Sequence, residues 1–283
     1  MGERNRKIEM INFIKDKYYW YNINQKLKKF LRGYERQKIL MYGYPKSGNT
    51  WLRLLLYNYR NLLIDPEVKQ TITYSKLNLL QRNMLEKGTS FTESEGFPVF
   101  YRSHAPYNAT YNLFDKKIFI HRNPLDTLIS AYYFYRNRKV PFFDDPYEIR
   151  GKLLDVNYYV LCKIDAWIDF YKESIKHSDI VMNYSKMRAN CNEEMSSLIN
   201  FLDWNFNQEL VRRTVELSSF NQVKKMGLNN HQKFGMGPKD TFKGEFTRSG
   251  REGQFYNELK EETINSVFQK FPEFKALYPS CLE

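Results

Sequence analysis

The stretch Gly43-Tyr44-Pro45-Lys46-Ser47-Gly48-Asn49-Thr50-Trp51 puts two glycines, a lysine and two hydroxyls ahead of Leu52, Leu55, Leu56 and Tyr59, which recur at helical spacing. The apolar run Ile39–Tyr44 that leads into it reads as a buried strand. A strand, a tight loop and a helix together form an anion site. The first-turn N–H groups have no intrahelical partner, and the positive end of the helix dipole faces the loop. Gly43 and Gly48 are spaced as in a Walker loop, yet Asn49 stands where that loop has its lysine. Lys46 precedes the second glycine and approaches a phosphate from another side, which disfavours a magnesium-dependent kinase or nucleotide hydrolase.

A second cation follows the run Lys117–His121. In Arg122-Asn123-Pro124-Leu125-Asp126, Asn123 suits an N-cap, Pro124 the first helical position and Asp126 the positive first turn. Capping explains the helix start but not Arg122. With Ser130 two turns on, its guanidinium fork could grip a second phosphate. Of the four histidines, 104, 121, 177 and 231, none has zinc or iron spacing, so no metal is expected. His104, in Arg102-Ser103-His104-Ala105-Pro106, follows the strand Pro98–Tyr101 and so lies at a carboxyl end, where open α/β sheets place ligands.

Tyr-Pro-Lys-Ser-Gly-Asn-Thr-Trp, residues 44–51, is similar to the 5′-phosphosulfate loop of the cytosolic sulfotransferase family. The resemblance extends in family order from residue 43 to 255. It implies that Pro45, Lys46, Ser47, Gly48, Asn49, Thr50 and Trp51 hold the 5′ end of 3′-phosphoadenosine 5′-phosphosulfate (PAPS), with Trp51 stacked on the base. Arg122 and Ser130 match the family's 3′-phosphate pair. Arg248, Gly250 and Gly253 match its Arg-Lys-Gly-x-x-Gly segment, with Ser249 in place of Lys and Phe255 in place of a usual Trp. One phosphate contact is then expected to be weakened, or supplied elsewhere by Arg251 or Lys243. Ser219, Phe220 and Tyr184 match the adenine side, although core packing explains the two aromatic residues equally well. Arg-Ser-His-Ala-Pro resembles the segment carrying the general base, which makes His104 that base. Arg102, where the family has Lys, joins Lys46 and Ser130 around the transferring group. The resemblance implies a P-loop-like sulfotransferase fold with PAPS as co-substrate and 3′-phosphoadenosine 5′-phosphate (PAP) as product. It also implies a small-molecule acceptor carrying a hydroxyl or amine.

These residues need elements to position them. Apolar runs at Ile39–Tyr44, Pro98–Tyr101, Lys117–His121 and Asp179–Tyr184 read as strands. Helical patterns cover Thr50–Leu62, Pro124–Arg136, Tyr147–Lys176, Glu193–Leu202 and Glu258–Phe271. The alternation predicts an α/β fold, a single domain (38–283) with a central parallel β-sheet flanked by helices, after an N-terminal helical extension (1–37). Met226–Gln254 holds six of the thirteen glycines (227, 235, 237, 244, 250 and 253) and reads as a long loop over the ligand. With Tyr132–Pro146 and Thr71–Phe97 it is expected to shape the acceptor pocket.

At 283 residues and 42% hydrophobic, the chain can bury a full core. Its +12 charge favours phosphate-rich ligands or nucleic acid, but no nucleic-acid-binding motif accompanies it. No run suits a membrane span, so stable membrane insertion is not expected. Three scattered cysteines, 162, 191 and 281, suggest a reducing, cytoplasmic compartment. A monomer or homodimer is expected. Abundant Lys, Asn, Ile and Tyr suggest an AT-rich microbial genome and hence a specialised metabolite as acceptor.

Overall fold

In the computed structural model five parallel strands form one sheet: β1 (Lys38–Tyr42), β2 (Arg82–Asn83), β3 (Val99–Ser103), β4 (Lys116–His121) and β5 (Ile180–Asn183), in the order β2-β3-β1-β4-β5. The structure describes residues 36–69, 80–84, 99–136, 155–229 and 250–281, with 18, 21–22, 24–29, 72 and 77–78. The sheet is covered on both faces, which is why its strands read as continuous apolar runs. Side chains alternate along each strand. Leu40, Tyr42 and Phe119 join Leu125, Leu128, Trp167, Tyr171 and Phe271 in one core. Ile39, Met41, Ile118 and Ile120 join Leu52, Leu55, Leu56 and Leu198 in the other. Leu27, in the helical residues 24–29, is buried in the first core.

The helices of the first face are α2 (Pro124–Arg136), α3 (Val156–His177) and α9 (Glu261–Lys270). The second face carries α1 (Asn49–Ile64), α5 (Cys191–Phe201) and α6 (Gln208–Leu217). Short helices α4 (Tyr184–Ala189), α8 (Phe255–Glu258) and α10 (Phe274–Leu277) join them, together with α7 (Phe220–Asn229). Among the described residues no helix is long and apolar enough to cross a membrane.

The described elements differ from the sequence reading in several places. The helix expected from Tyr147 starts at Val156, where Asp155 Oδ1 accepts the Asn157 N–H at 3.0 Å; residues 147–154 lie outside the described residues. The helix expected over Glu258–Phe271 is two, α8 and α9. It breaks at the extended Leu259 and Lys260, where Asn157 Oδ1 captures the Lys260 N–H at 2.8 Å. The loop expected from Met226 begins later, because α7 continues to Asn229; residues 230–249 lie outside the described residues. Helices α4 and α6 were not read from the pattern at all. Each begins at an asparagine cap, Asn183 and Asn207, whose Oδ1 accepts first-turn amides.

Candidate active site

Four neighbouring strands deliver the candidate residues to one edge of the sheet. At the carboxyl ends of β3, β1, β4 and β5, in that spatial order, stand His104, the loop from Gly43, Arg122 and Tyr184. Adjacent strands lie about 4.8 Å apart, so the edge spans roughly 15 Å from His104 to Tyr184.

The loop between β1 and α1 is tied to its neighbours from its first residue. The Gly43 N–H donates to Ser103 O at 3.3 Å, and a Cβ on Gly43 would lie 2.5 Å from Ile120 O, so no side chain fits there. Tyr44 O accepts from the Ser47 N–H at 3.2 Å and from Asn49 Nδ2 at 2.9 Å. Asn49, expected as a ligand residue, thus uses its amide group to hold the loop closed. Lys46 has φ 73° and Gly48 φ 98°, two left-handed residues that fold the backbone around the start of α1. Only glycine suits the second position, since a Cβ there would also meet Tyr184 Cδ2 at 2.5 Å. Ser47 Oγ and Asn49 Oδ1 are buried without hydrogen-bond partners. The Lys46 ammonium lies 4.2 Å from the centre of the Phe134 ring. Pro45 and Thr50 are half-buried at either side of the loop.

His104 sits beside this loop, with Nδ1 2.9 Å from Gly43 O. A carbonyl can only accept, so Nδ1 carries the hydrogen and Nε2 keeps the lone pair. Burial, then the positive charge of Arg102, pushes the imidazole pKa down to about 4, against a weaker upward pull from the Gly43 bond; Arg53 and Lys46 add to the depression. The ring is therefore neutral near pH 7. Arg102 is itself anchored away from the loop, with Nε donating to Gln81 O at 3.3 Å. Sequence reasoning missed Arg53. This α1 residue is 1% exposed, donates to Gln81 Oε1, Asn78 Oδ1 and Leu77 O, and receives Gln81 Nε2 at its own carbonyl. It sat among the polar positions of a helical pattern, and its partners lie some 25 residues away in a segment without periodicity.

At the other end, Asn123 caps α2 as expected, its Oδ1 accepting the Asp126 N–H at 2.7 Å. Arg122 is 5% exposed. Its Nη2 donates to Asp126 Oδ2 at 3.3 Å and to Arg251 O, while its Nε is buried without a partner. Its guanidinium lies over the Tyr184 ring at 4.8 Å, and Tyr184 OH donates to Gly250 O at 3.0 Å. Gly250, with φ 64°, presses on Phe220: a Cβ there would lie 2.6 Å from that ring. Trp51 meets Tyr184 edge to face at 5.6 Å and donates Nε1–H to Ser218 O at 3.0 Å. Ser219 accepts the Val223 N–H at its carbonyl, at the start of α7. Thus Trp51, Arg122, Tyr184, Phe220 and Gly250 come together, Ser219 adjoins them in the chain, and Ser130 is half-buried two turns along α2. Arg248, Ser249 and Lys243 lie outside the described residues. Glu252 was not foreseen. Burial pushes its carboxyl pKa up, and it accepts from Ser185 Oγ.

Residues 36–276 match the sulfotransferase domain family. Mouse sulfotransferase 1B1 is 24% identical over 243 residues, covering 82% of this chain and 81% of its own. Cytosolic sulfotransferase 5 of Arabidopsis thaliana is 22% identical over 283 residues, covering 88% and 84%. Among solved structures, mouse sulfotransferase SULT7A1 complexed with PAP superposes with a TM-score of 0.55 at 18% identity, covering 89% of this chain and 92% of its own. Retinol dehydratase with androsterone and PAP superposes with a TM-score of 0.60 at 14% identity, covering 84% and 80%.

Proposed function

We propose, since this chain belongs to the sulfotransferase domain family, that it moves a sulfuryl group from PAPS to a hydroxyl or amine of a small-molecule acceptor. The observation that carries this reading is the order along the sheet edge: a neutral histidine, a lysine-bearing anion loop, a buried arginine and an aromatic cluster on four adjacent strands. Buried polar atoms without partners, Ser47 Oγ and Arg122 Nε, mark the two ends that would meet phosphate.

PAPS supplies the sulfuryl group and departs as PAP. In this reading Lys46 and the first-turn amides of α1 balance the negative charge that grows on the leaving 5′-phosphate, more in the transition state than before it. His104 Nε2 takes the proton from the acceptor as its oxygen or nitrogen attacks sulfur. Arg102 keeps positive charge near that step, Arg122 and Ser130 bind the 3′-phosphate, and Trp51, Tyr184 and Phe220 flank the adenine beside Ser219. Arg248, Ser249 and Gly250 would close the 3′ side. A specialised metabolite is the acceptor we favour, and three free cysteines suit a cytoplasmic setting.

Calorimetric titration with PAP, with and without magnesium and with ATP as the comparison ligand, tests the donor site. Low-micromolar, magnesium-independent PAP binding is expected, weakened at least tenfold in Lys46→Ala and in Arg122→Ala. Tight Mg-ATP binding with none to PAP would overturn it.

A further inference from the structure

We propose that Asp126 is a positioning residue that sets the preference for a nucleotide phosphorylated at the 3′ position, acting through Arg122 and the backbone of Gly250–Gly253. The assignment rests on the donor-site reading above. The Asp126 side chain has no solvent exposure, and its Oδ2 collects three donors: Gly253 N–H at 2.9 Å, Asn123 Nδ2 at 2.9 Å and Arg122 Nη2 at 3.3 Å. Helix capping accounts only for the Asn123 contact. Gly253 is 127 residues distant in sequence, and Arg122 directly follows β4.

Those donors belong to the three parts that must hold still around a phosphate at this end of the sheet. The same Nη2 that meets Asp126 also reaches Arg251 O, so the guanidinium is clamped between α2 and the C-terminal loop. Tyr184 lies against the guanidinium and ties down Gly250 O. With Nη2 engaged, Nε remains a buried donor without a partner. A carboxylate beside an anion site repels the ligand unless its charge is matched, and here Arg122 matches it. Asp126 thus fixes which way the guanidinium faces and where the loop amides lie. A nucleotide lacking the 3′-phosphate uses neither.

The test compares PAP with adenosine 5′-monophosphate in calorimetric titrations of the full chain. In Asp126→Asn, which keeps the shape and an acceptor toward the three donors but removes the charge and puts an amide donor at the buried, unpartnered Oδ1 position, PAP affinity should fall at least about tenfold, while adenosine 5′-monophosphate affinity stays within about twofold. In an Arg122→Ala background the same substitution should add less than about threefold, since the two act as a unit. Gly253→Ala probes the loop side without touching the carboxylate. The nearest atom to its Cβ is Cys281 O at 3.8 Å, but φ is 72°, so the loop is strained in open space, and PAP should again weaken more than the monophosphate. Equal loss for both ligands would reduce Asp126 to a helix cap, and tighter PAP binding would make it a bare repulsive charge; either overturns the assignment. A wild-type protein that binds both ligands alike, or neither, overturns the donor-site reading instead, and this assignment with it.

Discussion

The His104 imidazole owes its state to a bond and a field. The bond to Gly43 O keeps hydrogen on Nδ1 and the lone pair on Nε2, and burial beside Arg102, Arg53 and Lys46 disfavours protonation. An ordinary histidine loses its base function as pH falls through about 6.5. With the pKa pushed down to about 4, kcat/KM for PAPS, which reports the free enzyme, should stay flat from pH 8 to about pH 5. A half-loss near pH 6.5 would take His104 out of that role. His104→Ala should lower kcat by about 10²- to 10⁴-fold at pH 7 with PAP affinity unchanged. The sequence made His104, Lys46 and Arg122 legible because each follows a strand with an abrupt change from apolar to charged residues. It hid Arg53, Glu252 and the contact of Asp126 with Gly253, because a buried ionisable group is explained by its partners. Those partners, such as Gln81 and Gly253, lie tens of residues to more than a hundred away.

At the scale of elements, the β1–loop–α1 unit turns on two left-handed residues, Lys46 and Gly48, immediately before the start of α1. Gly48 answers both backbone and neighbour: φ is 98°, and the Tyr184 ring occupies the space a side chain would need. Gly48→Ala therefore carries about 1–2 kcal/mol of backbone strain plus a collision that pushes Tyr184 off Arg122 and Gly250. We expect a melting temperature several degrees lower, at about 2–4 °C per kcal/mol for a domain of this size, and PAP affinity weakened at least tenfold. Unchanged affinity on a destabilised fold would separate Tyr184 from the nucleotide side. Four of the five strands and the long helices were readable because a short continuous apolar run such as Ile118–Ile120 differs in length and spacing from a longer amphipathic repeat such as Leu52–Tyr59; the two-residue β2 carries no such run. The short α4 was not, being six residues long with its start fixed by Asn183, and the break at Leu259–Lys260 depends on Asn157 from another helix.

Across the whole molecule, two histidines are held neutral, one just after β3 and one at the end of β4. His121 at the end of β4 is 3% exposed, lies 2.6 Å by Nδ1 from Tyr278 OH, and stacks on Phe119; burial, then Lys186, pushes its pKa down to about 3. Both folded pKa values lie below the unfolded value, so the unfolded chain takes up protons first as pH falls. Stability from this source is complete above about pH 6.5. It is lost between there and the folded values, at up to about 1.4 kcal/mol per pH unit for each histidine. The +12 charge adds self-repulsion in acid, and partnered carboxylates add their own loss, so the wild-type slope alone cannot isolate the histidines. A difference can. Denaturant unfolding of wild type and His121→Gln at pH 7 should show the variant less stable, through the disturbed Tyr278 contact and ring stack. From about pH 6 to about pH 4 the gap should close by about 1.4 kcal/mol per unit, since the variant has no imidazole to protonate there. Parallel curves over that range would mean that His121 titrates alike in both states, and that the C-terminal segment around Tyr278 does not keep it dry.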